Sequence, residues 1–157
     1  MAGDLPCSCA MSAPKVILVP TDFSDPANRA VDYAIELAEK LGAGVTVMHA
    51  YEIRPMNFLD RALVNTTDVT ERFRRAAQDA LDSAVARLNT RGVALMSLVR
   101  RGEAHDLIEA TAEEISADLI VIGTHGRRGL SRFLLGSVAE LIVRTATRPV
   151  LTVHAGK

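Results

Sequence analysis

The sequence predicts an α/β fold built on a mainly parallel sheet, and three observations carry that prediction. From Lys15 onward, short β-branched runs alternate with longer stretches of helical period, the pattern of repeated βα units. The runs Val16-Ile17-Leu18-Val19 and Leu119-Ile120-Val121-Ile122 are apolar at both alternating sets of positions, as strands are when helices cover both faces of a sheet. The length of 157 residues suits one well-filled core, since a chain of about 150 residues buries about 70% of its unfolded surface.

Taken in order, the strands are expected at 15–20, 44–50, 94–100, 118–123 and 149–154. Between the first two, Ser24 can cap a helix whose first turn holds Asp25 and Pro26. Ala30, Ala34, Leu37, Ala38 and Leu41 form its inner stripe and Gly42 stops it. Asp68, with Glu71 three residues on, resembles a capping box opening a second helix to about Leu88, with Ala77, Leu81, Ala84, Val85 and Leu88 inward. Gly102-Glu103 opens a third, offering Leu107, Ile108, Ala110, Ala112 and Ile115 to the core. A fourth is expected from Ser137 to about Thr147. The stretch from Tyr51 to Thr67, with Pro55 and Asn57, has no clear period and reads as a loop that can serve as a lid or a partner contact. The organisation expected is a flexible leader at 1–14 followed by a single domain over 15–157.

Composition narrows the function. The chain is 48% apolar and 24% charged, which excludes a disordered or fibrous protein. A net charge of −1 supplies no general positive field for phosphate backbones, so no nucleic-acid partner is expected. No apolar run approaches the ~20 residues that span a bilayer, so no membrane partner is expected. The leader lacks a basic start and a long apolar stretch, which points to a cytoplasmic product. Cys7 and Cys9 are the only cysteines, and no second ligand pair accompanies them, so no metal site is expected there.

The strongest functional signal is Gly123-Thr124-His125-Gly126, nine residues to Leu135, then Gly136-Ser137-Val138. It follows an apolar strand and precedes a helix. Glycines there let the backbone adopt positive φ and approach an anion, and the helix that follows supplies unpaired N–H groups and a partial positive charge. The fitting ligand group is a phosphate. Each residue also has a purely structural reading: Ser137 with Glu140 makes a capping box, and Gly123 or Gly136 can be turn glycines. Arg127, Arg128 and Arg132 can bracket phosphates or form a solvated surface. His125 has no evident partner for catalysis.

A second signal, Pro20-Thr21-Asp22, ends the first strand. In open parallel sheets ligands bind beyond the carboxyl ends of strands where the strand order reverses. Asp22 there can accept from a ribose hydroxyl or cap the turn before Ser24.

The run from Gly123 to Val153 resembles the C-terminal signature of the universal stress protein family, and Pro20-Thr21-Asp22-Phe23-Ser24 is similar to its first loop, so the likeness spans Lys15 to His154. The pattern Gly-x-x-Gly-x9-Gly-Ser is complete as Gly123, Gly126, Gly136 and Ser137. The ATP-binding branch of that family implies a three-layer, Rossmann-like adenine nucleotide-binding fold, with five parallel strands in the order 3-2-1-4-5. It implies Pro20, Thr21 and Asp22 around adenine and ribose, Val45 beside the base, and Ile122 with Gly123 closing the pocket. Gly126, Gly136, Ser137 and Val138 would hold the phosphates, with Arg127 beside them. A homodimer through residues 149–153 is also implied, and an apolar edge strand is a surface that needs covering. The function so indicated is an ATP-binding regulator or stress-tolerance factor, with Mg²⁺ carried, if at all, by the phosphates. A slow Mg-dependent ATP hydrolase of the same fold is the alternative, although no residue is an evident base for the attacking water. An electron-transfer flavoprotein-like or adenylating enzyme is disfavoured by the absence of a Ser-Gly-Gly loop, a His-Ile-Gly-His motif and a Walker Gly-Lys-Ser/Thr.

Overall fold

The computed structural model describes residues 13–53, 67–88, 92–124 and 136–154. Along the chain these form β1 (Val16–Pro20), α1 (Asp25–Leu41), β2 (Gly44–Tyr51), α2 (Thr67–Leu88), β3 (Leu95–Arg101), α3 (Ala104–Glu114), β4 (Leu119–Gly123), α4 (Ser137–Thr145) and β5 (Val150–Val153). The five strands form one sheet in the order β3-β2-β1-β4-β5, with every neighbouring pair parallel. Each expected strand is present with its ends within a residue of the predicted ones.

Parallel pairing needs a crossover between successive strands, and the helices that supply it cover both faces. On one face Ile17, Val19, Val45, Val47 and Val121 meet Ala30, Val31, Ala34, Ile35 and Ala38 of α1 and Leu81 of α2. On the other, Leu18, Met48, Ile120 and Ile122 meet Ile108 and Ala112 of α3 and Ala139 and Ile142 of α4. Alternate residues of each central strand therefore serve different cores, which is why these runs are apolar throughout. Chain order reverses at β1 and β4, which lie side by side in the middle of the sheet. Their carboxyl ends form the switch point at which such sheets bind ligands.

Local signals set most helix ends. Ser24 is the N-cap of α1, its hydroxyl accepting from the Ala27 N–H at 3.4 Å, and Gly42 ends the helix in the left-handed region at φ 63°. Helix α4 stops at Thr145, two residues before the expected end. Ala146 is already extended (φ −58°, ψ 132°), and Arg148, standing before Pro149, is biased away from helical geometry.

Three helix expectations are corrected. Asp68 lies inside the first turn of α2, where its carboxylate pairs with Arg72 at 2.9 Å, and Glu71 binds Arg74 and Arg75 at 2.8 and 2.9 Å, so this run forms ion pairs on an exposed face rather than a capping box. The hydrogen bonds from Arg74, then Arg75, hold the Glu71 carboxyl down to about 2. Ala110 is exposed, and Thr111 is the residue of that turn that enters the core, at 2% exposure. Ser137 stands one residue inside α4, whose N-cap is Gly136, so the Ser137–Glu140 spacing is out of register for a capping box.

Candidate functional site

The loop from β1 to α1 is closed by its own polar groups. Pro20 ends the strand. The Thr21 N–H then donates to the Met48 carbonyl of β2 at 2.8 Å, and the Thr21 hydroxyl accepts from the Phe23 N–H at 3.0 Å. Asp22 turns the chain into α1: its Oδ1 accepts from the Ser24 N–H at 3.0 Å and from the Ser24 hydroxyl at 2.5 Å. The local turn role weighed for Asp22 is thus realised. A carboxylate offers about four acceptor positions, so that role is compatible with binding a sugar hydroxyl as well.

Phe23 occupies the left-handed region at φ 63°, an uncommon place for a bulky residue. Its ring lies 4.6 Å from that of His49, tilted by 46°. His49, near the end of β2, places Nδ1 2.8 Å from the Thr21 carbonyl oxygen. A carbonyl only accepts, so Nδ1 carries the hydrogen in this geometry. Sequence reasoning gave His49 no role at the site. The available signal was a polar residue closing the apolar run Val45-Thr46-Val47-Met48.

At the end of β4, Gly123 is a site of close approach. A Cβ built there would lie 2.7 Å from the Pro26 carbonyl oxygen, 2.8 Å from its carbon and 3.0 Å from the Ala27 nitrogen. The first turn of α1 therefore rests directly on Gly123. One residue on, the Thr124 N–H donates to Val153 of β5 at 3.0 Å, and the Thr124 carbonyl accepts from the Gly136 N–H at 2.6 Å. This last bond clasps the two ends of the glycine-rich segment together at the amino end of α4. Neither Gly123 nor Gly136 is in the left-handed region, and Gly136 has φ −60° and ψ 148°. The expectation that these two glycines serve by adopting positive φ is corrected: close packing explains Gly123, and helix capping explains Gly136.

The Gly136 N–H is engaged by Thr124, but Ser137, Val138 and Ala139 begin α4, where N–H groups have no acceptor within the helix. Ser137 is exposed and Val138 half-buried. These donors, with the positive end of the α4 dipole, suit an oxyanion.

The fold brings Pro20, Thr21, Asp22, Gly123, Gly136, Ser137 and Val138 to the carboxyl ends of β1 and β4, through strand pairing, the Gly123–Pro26 contact and the Thr124–Gly136 clasp. Val45 is not among them. It pairs with Ile17, near the start of β1, and is 1% exposed in the core, about 10 Å below the level of Pro20. His49 and Ala50 occupy the carboxyl end of β2 instead. Ile122 is 5% exposed and faces the α3–α4 core, the face opposite the Gly123–Pro26 contact. Gly126 and Arg127, with His125, Arg128 and Arg132, lie outside the described residues. A hollow of about 250 Å³ lined by Glu52, Ile53, Arg101, Gly102 and Glu103 lies at the ends of β2 and β3, away from the switch point. Among the described residues no three His, Cys, Asp or Glu side chains converge as a metal site, and no helix is long and apolar enough to cross a membrane.

Comparison with known proteins agrees with this architecture. The universal stress protein family profile matches residues 14–154. A universal stress protein of Methanocaldococcus jannaschii, MJ0531, is 35% identical over 143 residues, covering 91% of this chain and 84% of its own. Universal stress protein A homolog 1 of Coxiella burnetii is 36% identical, covering 88% and 95%. Among solved structures, M. jannaschii MJ0577 superimposes with a TM-score of 0.77 at 26% identity, over 91% of this chain and 97% of that one. A universal stress protein in complex with cAMP gives 0.69 at 27% identity, over 92% and 100%. The Archaeoglobus fulgidus protein in complex with dAMP gives 0.61 at 28%, over 91% and 99%. With its whole βα core inside the matched region, this chain belongs to the universal stress protein family.

Proposed function

We propose that the chain binds ATP across the carboxyl ends of β1 and β4 and acts as a nucleotide-dependent regulator or stress-tolerance factor in the cytoplasm. The observation that carries this reading is the Thr124–Gly136 clasp, which sets the start of α4, with the N–H groups of Ser137 and Val138, at the switch point of the sheet. Relatives of the same fold bound to cAMP and dAMP support an adenine nucleotide as the ligand. In this reading Pro20, Thr21 and Asp22 face base and sugar, Ser137 and Val138 hold phosphate, and Gly126 and Arg127 complete the phosphate site. Any Mg²⁺ would rest on phosphate oxygens and water. The outer edge of β5, at 149–153, is the surface offered to a second copy of the chain.

The geometry supplies a specific test. Gly136, at φ −60° and ψ 148°, already has the conformation required before proline, and proline is favoured at the first position of a helix. Ser137→Pro therefore removes one N–H at little structural cost, while Ser137→Ala removes only the hydroxyl. Calorimetry with ATP, with and without Mg²⁺, should show affinity reduced about tenfold in Ser137→Pro, the effect of losing one charge-assisted hydrogen bond. Absence of adenine nucleotide binding by the folded wild type at millimolar concentration would sink the proposal. ADP accumulating in the same samples would assign hydrolysis to the site.

A further inference from the structure

The bond between His49 and Thr21 joins residues 28 positions apart in sequence and is a side-chain tie between β2 and the loop that carries Asp22. Three backbone N–H groups and a hydroxyl also shape that loop. Thr21 N–H reaches Met48, Phe23 N–H reaches the Thr21 hydroxyl, and Ser24 closes on Asp22. These bonds fix the shape of the turn. The turn needs further support, because Phe23 sits at φ 63°, where a bulky side chain is strained and the surroundings have to hold it. His49 supplies that support twice: its Nδ1–H donates to the Thr21 carbonyl at 2.8 Å, and its ring lies 4.6 Å from the Phe23 ring. Asp22 lies between these two held residues.

We infer that His49 is a positioning residue for sugar recognition: by holding Thr21 and Phe23 it sets the Asp22 carboxylate where a ribose hydroxyl can donate to it. The inference rests on the ATP reading above and extends it to a residue that need not touch the nucleotide. It also gives His49 a job that packing alone does not. An apolar residue of similar size would fill the same space against Phe23 but leave the Thr21 carbonyl without its partner.

Two substitutions separate donor from ring. His49→Phe keeps an aromatic ring beside Phe23 and removes the N–H, whereas His49→Asn places a side-chain N–H at the reach of Nδ1 and removes the ring. Affinities for ATP, 2′-deoxy-ATP and 3′-deoxy-ATP are measured by calorimetry on the full chain, with thermal unfolding recorded for each variant. The expected result is that His49→Phe loses most of the preference for ATP over the deoxy analogues, by roughly tenfold, while His49→Asn retains it. A purely structural role would lower the melting temperature and weaken all three nucleotides equally, leaving the ratio unchanged. If wild type binds ATP and His49→Phe keeps the wild-type ratio, the positioning role is overturned and the nucleotide site stands. If wild type binds none of the three, the ATP reading itself falls, and the positioning role with it.

Discussion

Replacing Gly123 by alanine tests whether this glycine serves the ligand or the fold. The added Cβ would meet the Pro26 carbonyl oxygen at 2.7 Å, about 0.7 Å inside ordinary contact, and the Pro26 carbon and Ala27 nitrogen at 2.8 and 3.0 Å. All three atoms are backbone, so no rotamer change relieves the clash. On one side β4 is held between β1 and β5, and on the other the first turn of α1 is fixed by the Ser24 cap and by Ala27 and Ala30 in the core. Overpacking of this kind costs about 1–3 kcal/mol, and two unyielding backbones place it toward the upper end. For a chain of this length that corresponds to a fall in melting temperature of roughly 5–10 °C. Urea unfolding followed by circular dichroism measures the loss, and the slope should stay at the wild-type value, since the surface exposed on unfolding is unchanged. Calorimetry on the same protein should show weakened ATP binding, because displacing Pro26 drags on the Asp22–Ser24 turn. A Gly123→Ala protein as stable as wild type, to within about 0.5 kcal/mol, would refute the close approach of α1 to β4. Lost ATP affinity without lost stability would instead assign Gly123 to the ligand.

Two further outcomes follow from hydrogen bonds at Ser24 and Asp118. Ser24→Ala removes the acceptor for the Ala27 N–H and the hydroxyl donor to Asp22, and should destabilise the chain by about 1 kcal/mol in chemical denaturation. Asp118 accepts the backbone N–H groups of Lys15 and Val16 at 2.8 and 3.0 Å, and these bonds, that of Lys15 first, hold its carboxyl below the usual carboxylate range. A lowered folded-state value contributes stability above the unfolded value near 3.9 and loses it as pH falls through the folded one. The stability difference between wild type and Asp118→Asn should therefore be level above about pH 5 and shrink below pH 4, and a difference that grew on acidification would contradict the assignment.

Much of the fold was legible because its signals are local. Strands and helices were placed from period alone, and Ser24 and Gly42 marked the ends of α1 because a cap acts within a few residues of itself. The same reasoning failed where one residue of register decides the outcome. Asp68 and Ser137 each have an acidic partner at capping-box spacing, but both lie inside their helices, and spacing carries no information about where the first turn begins. At the site, the sequence by itself determined that Pro20-Thr21-Asp22 and the glycine-rich segment leading into α4 would stand at strand ends, since each directly follows an apolar strand. Only the tertiary structure decided how they meet. Strand register put Val45 near the amino end of the sheet and His49 at the carboxyl end. Helix packing made Gly123 a contact for Pro26, and the Thr124–Gly136 bond closed the loop. These are distances between segments far apart in the chain, set when two faces of a sheet are packed at once, and no local pattern of residues encodes them.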